Sequence, residues 1–255
     1  MEYDPLFWGL ATLSAIFVGL GKGGLPVVAL LSVPVLSLVM PTITAAGILL
    51  PVYIVSDVFA LYAYRRDFNM TILKIGIIGM TIGVVFGWIT AHIVIEWIVT
   101  LFIGIIGFLF AISLLMNKNT NEKKLVALSH NRGYFWSAVA GFTSFISHSG
   151  GPPWQIFTLP LGLSKTVFVG TSVIAFSYCN VIKLVPYYFL DQVNLESLKI
   201  TLYLAVPASI AVFIGVKIIK VISEKLFFKI VSYALLLISF KLIIDGIGAA
   251  IDFYI

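Results

Sequence analysis

The sequence predicts an all-α integral membrane protein made of two inverted repeats, each of five hydrophobic segments. Three observations predict it. Of 255 residues, 60% are hydrophobic and 11% charged, against roughly 45–50% and about 25% in soluble domains. Apolar runs of about 20 residues lack the alternation of barrel strands, so the spans are helices that satisfy their own backbone. Two similar interruptions, "GKGGLP" at Gly21–Pro26 and "HSGGPP" at His148–Pro153, stand near the start of each half.

In chain order, the first half opens with Leu6–Leu20 and Leu25–Met40. Fifteen helical residues reach only about 23 Å against a hydrocarbon core of about 30 Å. These two short runs meet at the first break, either as a re-entrant hairpin or as two short crossings. Full-length runs follow at Ile43–Tyr64, Met70–Ala91 and Ile95–Met116. After a polar stretch, Asn117–Gly133, the order repeats. Tyr134–Ile146 and Trp154–Leu163 are short and meet at the second break, and Thr166–Leu190, Leu195–Ile219 and Leu226–Ile244 are long. The division is therefore a first membrane repeat, 1–117, a cytoplasmic linker, 118–133, and a second membrane repeat, 134–255.

The halves also match residue by residue. Gly23 and Gly24 align with Gly150 and Gly151, and Pro26 with Pro153. Gly47 and Asp57 share the ten-residue spacing of Gly170 and Asn180, and Asn69 follows the third run as Asn194 follows its counterpart. Their common order points to an internal duplication.

Positive charge sets the orientation. Arg65, Arg66, Lys74, Lys118, Lys123, Lys124, Arg132, Lys165, Lys217, Lys220, Lys225 and Lys229 are 12 of the 16 basic residues and fall on one side. Glu2, Asp4, Glu96, Asp191, Glu196, Asp245 and Asp252 fall on the other, with Lys199 the one basic exception. Both termini are expected outside and the linker inside, which makes the two repeats inverted. The N-terminal "MEYDPLFW" lacks the basic start and small-residue cleavage site of a signal peptide. The net charge of +5 lies in short loops, which excludes a nucleic-acid stripe. The single cysteine, Cys179, allows no intrachain disulfide.

The breaks carry the chemistry. A helix that restarts within the membrane presents unpaired N–H groups and a positive dipole end. Glycine admits an anion close to the backbone, and proline at the start forfeits no hydrogen bond. The candidate anion-binding residues are Lys22, Gly23 and Gly24 at the first break, and Ser147, His148, Ser149, Gly150 and Gly151 at the second. Two such breaks from opposite sides would form a cationic, donor-rich cup for a small oxyanion. On this sequence reading, Lys22→Ala or His148→Ala lowers substrate binding and leaves the fold intact.

Asp57 lies deep in its run, where a charge costs about 2.5–3.5 kcal/mol and needs a cavity or a partner. It has two compatible readings, a group coupling transport to a proton or sodium ion and a structural partner of Lys22. Ser172, Phe176, Asn180, Lys183 and Tyr187 share one helix face. Asn180, the uncharged counterpart of Asp57, joins the binding set. Lys183 either snorkels to the outer interface or lines the anion path with Trp154, Gln155, Thr171 and Ser172. Lys241 and Asp245, four apart, read as a structural ion pair. No catalytic, cofactor or metal-ligand motif is present, and the oligomeric state is open.

With these residues in place, the chain resembles the TauE/SafE family of sulfite exporters and toluene-sulfonate uptake permeases. The duplicated half, "GKGGLP", "HSGGPP" and "VGTSVIAFSYCN" carry the resemblance over about Leu6 to Ile244. The first half departs from it with "AGILLP" where the second has "VGTS". The resemblance implies transport of sulfite or organosulfonates across a prokaryotic plasma (inner) membrane. The residues alone imply a secondary transporter of a small anion working by alternating access. The alternatives are an anion channel, an intramembrane hydrolase and a non-transporting membrane subunit.

Overall fold

A computed structural model describes residues 4–116 and 126–254. The linker lysines Lys118, Lys123 and Lys124, and Glu2, lie outside the described residues. Every regular element among the described residues is helical. α1 (Pro5–Lys22) is followed by two short helices, α2 (Pro26–Ala29) and α3 (Ser32–Leu36), where the sequence suggested a single short run. Then come α4 (Thr42–Tyr64), α5 (Met70–Ile89) and α6 (Glu96–Met116). The second stretch contains α7 (His130–Ser147), α8 (Gly151–Thr158) with a 3-10 turn at Leu159–Leu161, α9 (Lys165–Phe189), α10 (Leu195–Val221) and α11 (Glu224–Tyr254). Seven of these, α1, α4, α5, α6, α9, α10 and α11, are long and apolar enough to cross a membrane. The chain is a multi-pass membrane protein.

Local sequence sets the helix starts. Asp4 accepts a hydrogen bond from the Phe7 N–H at 2.8 Å, and Pro5 occupies the first turn of α1. Asn69 accepts from the Ile72 N–H at 3.0 Å ahead of α5. Asn194 heads α10 in a capping box, accepting from the Ser197 N–H at 3.0 Å while the Ser197 hydroxyl accepts from the Asn194 N–H at 3.0 Å. Asn194→Ala is expected to lower stability by about 1 kcal/mol, read as a lower thermal unfolding midpoint in detergent.

The chain packs as two compact units, Met1–Leu73 with Thr166–Ile222, and Lys74–Lys165 with Ser223–Ile255. Each draws helices from both sequence halves. In the first unit, Phe7, Ala11, Ala15 and Val18 form one stripe of α1, buried against Ala45, Leu49 and Val52 of α4 and Leu204 and Ala208 of α10. The outer face of α10, with Leu202, Val206, Ile210 and Phe213, is exposed and apolar. That is the pattern of a lipid-facing surface.

α4 and α9 are antiparallel neighbours in this unit. Near the start of α4, a Cβ added to Gly47 would stand 2.1 Å from the Gln192 carbonyl oxygen, just beyond the end of α9. Near the start of α9, a Cβ on Gly170 would stand 1.8 Å from the Asp67 carbonyl oxygen, just beyond the end of α4. Only glycine permits such approaches. Between them the two helices join through a hydrogen bond from the Asn180 amide to Asp57 at 2.9 Å.

In the second unit, α6 packs along α11, where Phe108 and Phe240 meet with ring centroids 6.1 Å apart. Lys241 and Asp245 form the expected i,i+4 ion pair on the exposed side of α11.

Candidate functional site: a buried lysine–aspartate pair

α1 ends at Lys22, where a cation is favoured by the negative end of the helix dipole. The turn that follows closes the helix on itself. Gly23 N–H donates to the Gly19 oxygen at 2.8 Å, Gly24 N–H to Gly21 at 3.2 Å and Leu25 N–H to Leu20 at 3.1 Å. Gly24 has φ +124°, a conformation that side chains resist. The Gly23 and Gly24 amides, expected from the sequence to face an anion, are thus engaged as the cap of α1. Tyr64 of α4 ties the same turn down, its hydroxyl donating to the Gly23 oxygen at 2.6 Å.

What the first break presents is the Lys22 side chain. It is 6% exposed and its Nζ lies 2.6 Å from Asp57 Oδ1, itself on a residue 3% exposed. The Asp57 carboxylate gathers further donors from α9. Ser177 Oγ stands 2.7 Å from Oδ1, and Asn180 Nδ2 stands 2.9 Å from Oδ2. The Ser177 hydroxyl also lies 2.7 Å from the Val173 oxygen. It has one proton, and the charged carboxylate is the stronger acceptor. Tyr53, four residues before Asp57, sets its ring 5.3 Å from Lys22 Nζ, and its hydroxyl is held by Ser32 Oγ at 2.8 Å.

A cation, a hydroxyl and an amide therefore converge on one carboxylate inside the first unit. Lys22, Asp57 and Asn180 were legible beforehand. Ser177, Tyr53, Tyr64 and Ser32 were not. Ser177 stands three before Asn180 and Tyr53 four before Asp57, so helical spacing was an available signal for both.

The remaining candidates divide. Lys183 is 0% exposed, with its Nζ 5.9 Å from the centre of the Tyr187 ring. Of its two readings, the snorkelling one is excluded by this burial. Thr171 and Ser172 spend their hydroxyl protons within α9, on Val167 and Phe168, each at 2.7 Å. Thr171 also accepts the Asn69 N–H at 2.9 Å. They brace the helix about two turns from Asn180.

The second break belongs to the other unit. α7 ends in a left-handed residue, His148, with φ 55°. Its N–H donates to the Ser144 oxygen at 3.2 Å, and the Ser149 N–H donates to Thr143 at 3.2 Å. Ser147 Oγ donates to Ser149 Oγ at 3.1 Å. Gly150 precedes α8 and Gly151 begins it. Trp154 is buried and packs edge-on against Phe157, with ring centroids 5.9 Å apart. Gln155 is 1% exposed, and its Oε1 finds no hydrogen-bond donor among the described residues.

Residues 8–242 match the family model described as sulfite exporter TauE/SafE. Neither the curated proteins nor the solved structures compared with the chain contain a match. Because the family match runs from the first turns of α1 into α11, it takes in every element that builds the lysine–aspartate pair, and the chain belongs to the sulfite exporter TauE/SafE family.

Proposed function

We propose that this protein is a secondary transporter that moves a small sulfur-containing oxyanion, sulfite or an organosulfonate, across a prokaryotic plasma membrane by alternating access. The observation that carries the reading is the Lys22–Asp57 pair. A buried ammonium 2.6 Å from a carboxylate, with Ser177 and Asn180 on the same oxygens, is a donor set already arranged for a tetrahedral or planar oxyanion. The family supplies the sulfur. Lys22, Ser177 and Asn180 bind the anion on this reading. Within the first unit, Lys183 lines the path.

Inverted repeats fit this function. The reciprocal approaches of Gly47 to Gln192 and Gly170 to Asp67, with Asp57 and Asn180 bonded midway, support a two-fold relation between α4 and α9. Equivalent residues of two halves meet each other where such an axis passes. The positive-inside pattern supports both termini outside.

The test is gradient-driven uptake in proteoliposomes, screened across sulfite, sulfate, taurine, isethionate and sulfoacetate. Uphill accumulation of at least one sulfur anion is expected. Asn180→Ala should raise its half-saturating concentration about tenfold, a loss of roughly 1.4 kcal/mol. Current that reverses at the anion's equilibrium potential, with no uphill movement, would identify a channel instead.

A further inference from the structure

Building on the reading of this chain as an oxyanion transporter, we infer that the Asp57 carboxylate is the resident anion of the site. The transported anion replaces it on Lys22 only as Asp57 takes up a proton, so each monovalent anion travels with one proton.

The first support is chemical likeness. The three side-chain donors on Asp57, an ammonium, a hydroxyl and a primary amide, are those that bind a sulfonate or hydrogensulfite oxygen. Asp57 is the acceptor that Lys22 meets among the described residues. An ammonium has three N–H protons, so the cation keeps capacity for a second acceptor beside Asp57.

Charge then decides which states are stable. With Lys22 protonated and Asp57 ionised, the buried pair sums to zero. With Asp57 protonated and a monovalent anion on Lys22, it again sums to zero. The two half-loaded states do not. An anion beside an ionised Asp57 leaves one negative charge in excess, and a protonated Asp57 without an anion leaves Lys22 uncompensated. An unpaired buried charge is heavily penalised. Only the two neutral states can rearrange across the membrane, which couples proton and anion one to one.

The surroundings permit the exchange. From α1 Asp57 faces Lys22, from its own helix Tyr53, and from α9 Ser177, Asn180 and Lys183. α3 reaches it through Ser32, whose hydroxyl meets that of Tyr53. The buried face of α10, with Ser197, Thr201, Leu204, Ala208 and Val212, brings no ionisable group. Lys183 adds the same charge to both states, and the coupling requires that it be neutral there, since a second cation would compensate an anion beside an ionised Asp57. Ser177 and Asn180 can each donate to a carboxylate or accept from a carboxylic acid. The protonated Asp57 therefore keeps hydrogen bonds after Lys22 has left it.

The experiment uses the full chain in proteoliposomes with three labelled monovalent probes, isethionate, methanesulfonate and, in mildly acidic buffer, hydrogensulfite. Wild-type uptake should respond to an inside-alkaline pH gradient, remove one proton from the medium per anion, and ignore membrane potential. Asp57→Asn should keep anion exchange and lose both the pH-gradient response and the proton movement, whereas Lys22→Met loses exchange as well. Wild-type protein that moves none of these probes and none of the anions screened above would overturn the transporter reading itself. Anion uptake without proton movement in the wild type, or accumulation still driven by the pH gradient in Asp57→Asn, overturns this inference and leaves that reading standing. The wild-type proton count decides the matter even where Asp57→Asn does not fold.

Discussion

Lys22→Met is expected to destabilise the protein by about 3–5 kcal/mol, the usual result of removing one partner from a buried ion pair. Asp57 would remain 3% exposed, with Ser177 and Asn180 on its oxygens but no cation. Neutral donors offset only part of the desolvation of a charge. The burial of the pair revises the sequence-based expectation that Lys22 can be truncated with the fold intact. The double variant Lys22→Met with Asp57→Asn removes both charges, and it should recover most of the lost stability while remaining inactive in anion exchange. Thermal unfolding of the purified variants in detergent measures the first effect, and proteoliposome exchange measures the second. A single variant as stable as the wild type would mean that water reaches the pair.

Gly170→Val should reduce the yield of folded protein sharply, with a loss of about 3 kcal/mol or more. An added Cβ at Gly170 would stand 1.8 Å from the Asp67 carbonyl oxygen. That neighbour is backbone and cannot rotate aside. It also belongs to the turn that leads into Asn69 and the start of α5, so relief would require moving a helix terminus. Gly47→Val should act in the same way at the opposite end of the α4–α9 pair, where the limiting distance is 2.1 Å from Gln192. Gly9→Ala is the control. Nothing lies within 4 Å of its Cβ position, and alanine in a helix is favoured over glycine by roughly 0.5–1 kcal/mol. Detergent-solubilised yield by size-exclusion chromatography distinguishes the three.

The spans were readable because the membrane tolerates few patterns. A run such as Met70–Ala91 has no alternative to a helix once its backbone must bond within itself, and α5 occupies Met70–Ile89. The charged residues of the site were readable for a related reason. Lys22, Asp57 and Lys183 stand in apolar sequence, where an unneeded charge would be costly. Ser177 carried no such mark, because hydroxyls are common in membrane helices and return their protons to the preceding turn, as Ser172 does to Phe168. Its bond to Asp57 depends on how α9 is rotated against α4.

The glycines of the first break are the instructive difference. A Gly-Gly-Pro sequence serves equally as an anion-binding turn and as the cap of the helix before it. Both need positive φ and close backbone approach. Here Gly24 takes φ +124° and the amides of Gly23, Gly24 and Leu25 return to α1. Lys22, Tyr64 and Asp57 are what gather at the turn.

The sequence by itself determined that this is a helical membrane protein, where its long spans run and that Asp57 lies deep in one of them. These follow from the mismatch between each residue and hydrocarbon, a property the residue carries wherever it packs. Only the tertiary structure decided that Lys22 meets Asp57, that Ser177 and Asn180 complete the cluster, and that each compact unit takes helices from both halves of the chain. Partnership between groups 35 or more residues apart depends on helix rotation and close backbone approach, which a linear pattern does not encode.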